Sequence, residues 1–200
     1  MRSALILAGG RSRRMGFLEK ALLPVGNRTI LEHVMDALEG VVDEIIISAR
    51  DASQQELLKD HTRGYDVVLD RYENVGPLSG ILEGLKAATG EYVFVVACDM
   101  PYINTDVVEL LFKCTGGHDA AIPVWENKDM EPMHAVYRTS PMVIETDKAI
   151  LRSEKFVLAP VFKMQDLMFV DMVDIRKIDP HLRTFVNVNT PDDIEKLQDY

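Results

Sequence analysis

Positive charge, cysteine and long apolar runs are all scarce in this chain. Its 200 residues carry 22 Lys and Arg against 32 Asp and Glu, a net charge of −10, which excludes the broad basic surface needed for generic binding to nucleic acid or an anionic membrane. No stretch approaches the ~18 consecutive apolar residues of a membrane-spanning helix. The apolar start, Met1 to Gly10, is cut short by Arg11 and lacks a small-residue cleavage site, so it does not read as a secretory leader and the expected location is cytoplasmic. Cys98 and Cys114 are the only cysteines; with no C-x-x-C, they support neither a disulfide framework nor a structural zinc. Cys114 and His118 read as a core thiol and a surface imidazole rather than as two metal ligands. Repeats and Gly-, Ser- or Pro-rich linkers are also missing, so 1–200 is expected to form a single domain. Its 47% apolar content and its length suffice to bury about 70% of the unfolded chain's surface.

What positive charge there is lies close together. Arg2, Arg11, Arg13, Arg14 and Lys20 face only Glu19 within the first 20 residues, net +4, leaving −14 for the other 180. Around that knot the chain reads as alternating strands and helices. Ser3 to Ala8 is a short apolar run closing on Gly9-Gly10, as expected of a strand buried on both faces. Thr29 and Glu32 form a capping box for a helix over Ile30 to Leu38. Glu44 to Ser48 is the next strand, Ser53 with Glu56 is expected to cap a short helix, and Asp66 to Leu69 is a strand ending at Asp70. Pro77 to Thr89 has the i, i+3, i+4, i+7 pattern of an amphipathic helix, with Gly90 as its stop. Tyr92 to Ala97 is strongly strand-like. This alternation predicts a three-layer α/β/α, Rossmann-like fold with a mostly parallel sheet. Beyond 115 the pattern loosens: Ala120 to Val124 and Pro132 to Tyr137 read as strands, the second as an antiparallel return. Ser140-Pro141 reads as a helix start. Phe169 to Ile175 alternates less cleanly, and Phe185 to Asn189 reads as a strand before a helix capped at Thr190.

In open α/β sheets ligands bind outside the carboxyl ends of the strands, and this chain places Gly9 to Gly16, Ser48, Asp70, Asp99, and Asn187 with Asn189 at such ends. The segment Gly9 to Gly16, followed by Lys20, is a glycine-bounded basic loop suited to phosphate, with Arg14 and Lys20 as cations; the alternative is a tight turn with solvated arginines. It matches neither G-x-x-x-x-G-K-[ST] nor G-x-G-x-x-G. Asp99, after six apolar or aromatic residues, fits the single carboxylate by which Mg²⁺ is held together with substrate phosphates, or it caps the following turn. Asp70 accepts from a nucleotide or begins the loop to Gly76. Gly76 and Gly80 open the way to a helix N-terminus or serve helix–sheet packing. Asn187 and Asn189 share one strand face, where they contact metal or ligand or cap the next helix. His134 reads as a satisfied histidine rather than a base, and Cys98 as a small hydrophobe.

Taken together, Leu7-Ala-Gly-Gly10, Arg14-Met15-Gly16 with Lys20, Gly76-Pro-Leu-Ser-Gly80, Cys98-Asp-Met-Pro-Tyr-Ile103 and Phe185-Val-Asn-Val-Asn-Thr-Pro191 resemble the molybdenum cofactor guanylyltransferases of the MobA type, across nearly the whole chain. The resemblance implies Mg²⁺-dependent transfer of GMP from GTP to the terminal phosphate of molybdopterin, giving molybdopterin guanine dinucleotide and pyrophosphate. Molybdoenzyme assembly proteins are the partners it implies. It also implies that Leu7, Ala8, Gly9 and Gly10 begin the GTP loop, that Arg14 and Lys20 meet the phosphates, that Asp70 is a guanosine-side contact and that Asp99 is the metal ligand. Gly76, Gly80, Asn187 and Asn189 match positions lining the nucleotide and cofactor sites. Ser48 stands where the family often has asparagine, which bears on base choice, whereas the Gly9-Gly10 pair resembles the guanylyl branch. Other readings are the same chemistry on adenosylcobinamide phosphate, phospholactate or a sugar phosphate, the use of CTP, or a non-catalytic GTP-binding partner in molybdoenzyme assembly.

Overall fold

The computed structural model describes residues 1–9, 19–188 and 193. Gly10, Arg14, Asn189 and the helix expected after Thr190 therefore lie outside the described residues.

A central seven-stranded sheet is built from β1 (Arg2–Leu7), β4 (Glu44–Ala49), β5 (Asp66–Leu69), β6 (Tyr92–Ala97), β7 (Ala120–Val124), β8 (His134–Arg138) and β9 (Leu167–Asp171), in the order β5-β4-β1-β6-β8-β7-β9. β1 pairs in parallel with both β4 and β6. β8 runs antiparallel to both of its neighbours, β6 and β7, so the expected antiparallel element is this one strand. A small hairpin, β2 (Pro24–Val25) with β3 (Arg28–Thr29), turns through Gly26 at φ +62° and was not foreseen.

Alternation along β1 shows how the sheet separates its two cores. Ala4 and Ile6 face a layer with α1 (Ile30–Leu38), α2 (Ala52–Leu58), α4 (Thr105–Cys114) and α7 (Met172–Ile175), while Leu5 and Leu7 face α3 (Leu78–Ala87), α5 (Thr139–Leu151) and α6 (Leu158–Val161). α1 has the expected bounds. Its capping box is complete, with Thr29 N–H donating to Glu32 at 2.7 Å and Glu32 N–H donating to Thr29 Oγ1 at 3.2 Å, an arrangement worth about 1 kcal/mol. Ile30, Leu31, Val34, Met35 and Leu38 are all buried, at roughly 1.5–3 kcal/mol for each large side chain.

Four local expectations need correction. Asp51, not Ser53, caps α2: its Oδ1 accepts from Gln54 N–H at 2.9 Å while Arg50 Nε donates to its other oxygen, so the helix begins one residue before Ser53. α5 begins at Thr139, whose hydroxyl donates to the Gly90 and Glu91 carbonyls. Ser140 is thus inside the first turn, where Pro141 still loses no needed N–H. Phe169 to Ile175 divides between the end of β9 and α7. The stretch from Phe185 is not a sheet strand: a 3-10 turn over Arg183–Phe185 is followed by extended chain whose Val188 N–H donates to the Asp99 carbonyl at 2.8 Å. It runs past the carboxyl end of β6 instead of beside it.

Candidate active site

The sheet order reverses direction between β1 and β6, and that crevice is where open α/β sheets bind ligands. Backbone bonds hold its floor together. Ala8 N–H donates to Ser48 O at 2.9 Å, Cys98 N–H to Leu7 O at 3.1 Å and Asp70 N–H to Ala49 O at 3.0 Å. The ends of β1, β4, β5 and β6 thus present Gly9, Ser48, Asp70 and Asp99 along one edge, as the sequence predicted.

Two centres lie on this edge. In the first, Lys20 opens a 3-10 turn, Lys20–Leu22, and its Nζ is 3.2 Å from Asp99 Oδ2. Both side chains are about one-fifth exposed (21% each), leaving the pair open to a ligand. The other Asp99 oxygen, Oδ1, is buried and has no hydrogen-bond partner among the described residues. A buried carboxylate oxygen lacking a donor is costly, and one hard divalent cation would satisfy it, so the donor chemistry fits the Mg²⁺ expected at Asp99.

The second centre is a cavity of about 110 Å³ lined by Leu7, Gly9, Ser48, Asp70, Gly76, Pro77 and Gly80. Ser48 Oγ donates to Asp70 Oδ1 at 3.2 Å. Burial pushes the Asp70 carboxyl up to about 6, against the lowering effects of the Ser48 hydroxyl and Arg50. Both flanking glycines have a steric reason. A Cβ on Gly80 would lie 2.3 Å from Ser48 Oγ and 3.0 Å from Asp70 Oδ1, and one on Gly9 would lie 3.2 Å from Asp70 Oδ2. Gly76 serves the fold: at φ +60° it passes so close to the Lys155 carbonyl that a Cβ would sit 2.5 Å from it. Gly80→Ala is therefore expected to force Ser48 off Asp70, with a stability loss of about 1–2 kcal/mol from overpacking, and, if this cavity takes the nucleotide expected from the sequence, to raise its KM at least about 10-fold. Steady-state kinetics and thermal melting check both; an unchanged KM would place the nucleotide elsewhere.

Of the remaining expected residues, Asn187 is exposed and, among the described residues, donates to the Phe185 carbonyl at 3.4 Å. His134 is fully buried on β8, where it contacts Phe94 and Phe185 edge-on and its Nε2 is 3.2 Å from Thr184 Oγ1. Burial lowers its pKa to about 3, so the ring is neutral and its place is structural. Cys98 is buried, with its thiol raised to about 12, as suits a small hydrophobe. His118 faces Asp166 at 2.8 Å. Glu19, Arg50 and Gln54 were not singled out from the sequence. Their side chains nonetheless join the end of β1 to the residue before Lys20, through contacts 31 to 46 positions apart that leave no local pattern to find.

Residues 4–159 match the MobA-like NTP transferase domain. The chain is 51% identical to a probable molybdenum cofactor guanylyltransferase of Methanosarcina mazei and 49% identical to one of Methanosarcina acetivorans, in each case over 98% of this chain and 89% of the relative. The crystal structure of molybdopterin-guanine dinucleotide biosynthesis protein A from Archaeoglobus fulgidus superposes with a TM-score of 0.83 at 29% identity, covering 100% of this chain and 97% of that one. By its matching domain and its near-full-length relatives, the chain belongs to the MobA-like NTP transferase family, among the molybdenum cofactor guanylyltransferases.

Proposed function

We propose that residues 1–200 form one nucleotidyltransferase domain that transfers GMP from GTP to the terminal phosphate of molybdopterin in the cytoplasm, with Mg²⁺. The observation that carries this reading is the Lys20–Asp99 pair, whose Asp99 Oδ1 has no partner among the described residues, beside the Asp70 cavity on the same sheet edge.

The chemistry asks for little besides placement and charge. An acceptor phosphate oxygen attacks the α-phosphorus of GTP, a P–O bond forms as the bond to the β-phosphate breaks, and pyrophosphate leaves. The attacking group is already ionised, so no protein nucleophile or general base is required. Both reactants are anions, and the barrier is lowered by holding them together and neutralising charge. Asp99 would hold Mg²⁺, which supplies a counter-charge to the polyphosphate. Lys20 would meet the phosphate oxygens with its ammonium, and Arg14 is assigned to the same phosphates. Leu7, Ala8, Gly9 and Gly10 would begin the loop around the nucleotide, with Gly76 and Gly80 beside it and Asn187 and Asn189 near the acceptor or metal. The product passes to molybdoenzyme assembly proteins.

Asp70 accounts for base choice. An ionised carboxylate accepts two adjacent N–H donors from the Watson–Crick edge of guanine, whereas cytosine offers a single amino group beside acceptors. Because Asp70 is held up to about 6, it is protonated below that pH, and GTP affinity is expected to rise through pH 6 and level off above 7. Stability moves the other way. A carboxyl whose folded pKa is raised favours the fold at low pH, and that contribution is lost as pH climbs from about 4, its unfolded value, through 6. Asp70→Asn should remove the Asp70 share of the pH dependence of GTP binding, leaving that of the terminal phosphate itself, erode the preference for GTP over CTP, and stabilise the free protein at pH 8 by about 1–2 kcal/mol after allowance for solvent screening. Calorimetric titration and melting at pH 5.5 and 8 test all three; a pH-independent wild type would remove Asp70 from the base.

The deciding experiment for the whole reading is pyrophosphate release with each NTP, with and without molybdenum-loaded molybdopterin. Release with GTP only when molybdopterin is present is expected. Turnover with CTP instead would overturn the base assignment, turnover with another phosphorylated acceptor would overturn the acceptor, and no release with any would favour a GTP-binding partner in molybdoenzyme assembly.

A further inference from the structure

Lys20 is carried by a single 3-10 turn whose preceding residue, Glu19, makes no side-chain cap, so local structure alone does not aim its ammonium at Asp99. Contacts able to hold it there are made by its neighbour Glu19. Its carboxylate accepts from Arg50 Nη2 at 2.8 Å and from Gln54 Nε2 at 2.6 Å. The same Gln54 nitrogen donates to the Ala8 carbonyl at 2.8 Å, and Gln54 Oε1 accepts from Arg50 N–H at 2.7 Å. Arg50 Nε then reaches Asp51 Oδ2 at 2.9 Å, and Asp51 caps the helix that carries Gln54. Gln54 is wholly inaccessible to solvent, and the side chains of Glu19 and Arg50 are only 14% and 22% exposed. This is therefore a shielded, charge-assisted network rather than a surface ion pair.

One buried amide thus touches both the chain entering residues 10–18, at Ala8, and the chain leaving them, at Glu19. We infer that Glu19, Arg50 and Gln54 are positioning residues: they clamp the two ends of that segment together at the edge of the sheet and so fix Lys20 against Asp99. The inference rests on the assignment of Lys20 to the transferring phosphates. It matters because displacing a catalytic group by about 1 Å can cost about 100-fold in rate.

Glu19→Gln keeps the shape and breaks the network, since whichever way the new amide turns, its NH₂ faces a donor from Arg50 or Gln54. We expect kcat to fall about 10- to 100-fold with the GTP KM changed less than about 3-fold. In a Lys20→Ala background the same substitution should cost less than about 2-fold, because the cation it positions is gone. Hydrogen exchange of the 19–23 amides, measured without substrate, should quicken at least about 10-fold in Glu19→Gln and in Arg50→Met. A merely structural role would leave the two substitutions multiplicative. Full multiplicativity with Lys20→Ala, or unchanged exchange over 19–23, overturns the clamp. A wild type that releases no pyrophosphate defeats the transferase reading alone, because exchange still reads the clamp.

Discussion

Lys20→Ala is expected to lower kcat by roughly two to three orders of magnitude, the usual cost of removing one preorganised group that meets developing charge. The ammonium lies 3.2 Å from Asp99 Oδ2 at the switch point of the sheet, where on the proposed reading it would hold the polyphosphate against its own repulsion. Its loss also removes the ammonium donor to Asp99 Oδ2, beside an Oδ1 that has no partner among the described residues. The fold should survive, because the pair is partly exposed and contributes little net stability. Rapid-quench measurement of GMP transfer, with melting as a control, separates the two effects. Near-normal transfer would take Lys20 out of the reaction.

Asp99→Asn is the second large effect. The amide is nearly isosteric but carries no charge for a hard cation, and it brings an NH₂ toward Lys20. The expected result is a fall in kcat of about 100-fold or more, together with a shift of half-maximal activity to at least ~10-fold higher Mg²⁺. The two readouts discriminate between roles. An unchanged magnesium titration would leave Asp99 as a residue that only braces the following turn, and a melting transition that falls with kcat would mean that its backbone link to Val188 had been disturbed.

Most of the sheet was readable because buried strands write themselves locally. Tyr92 to Ala97 and Glu44 to Ala49 are short apolar runs ended by polar residues, and α1 announces both its start, through Thr29 and Glu32, and its buried face. α4 went unread although Asn104 caps it by accepting from the Asp106 and Val107 amides. Its β-branched Val107 and Val108 dilute the helical signal that Leu111 and Phe112 complete. The two centres of the site were legible as individual residues, since Asp70 and Asp99 each follow a strand. What joins them was not. The Ser48–Asp70 bond and the Glu19–Arg50–Gln54 network link positions far apart in the chain, and no spacing rule reports a contact made only by the fold. The segment after Phe185 was misread for a related reason: its alternation suits a strand, but the sheet places it beyond the end of β6, where it meets Asp99.

The glycines around Asp70 set the routes by which this site could change. Every residue other than glycine brings at least a Cβ, so Gly80 has no conservative replacement, and no choice among the others softens the 2.3 Å approach to Ser48. Ser48 and Asp70 have many neighbours in side-chain size and polarity. On the assignment of Asp70 to the base, a lineage or a designer altering the nucleobase preference would therefore have to travel through those two polar positions, with the glycines as fixed boundaries of the search.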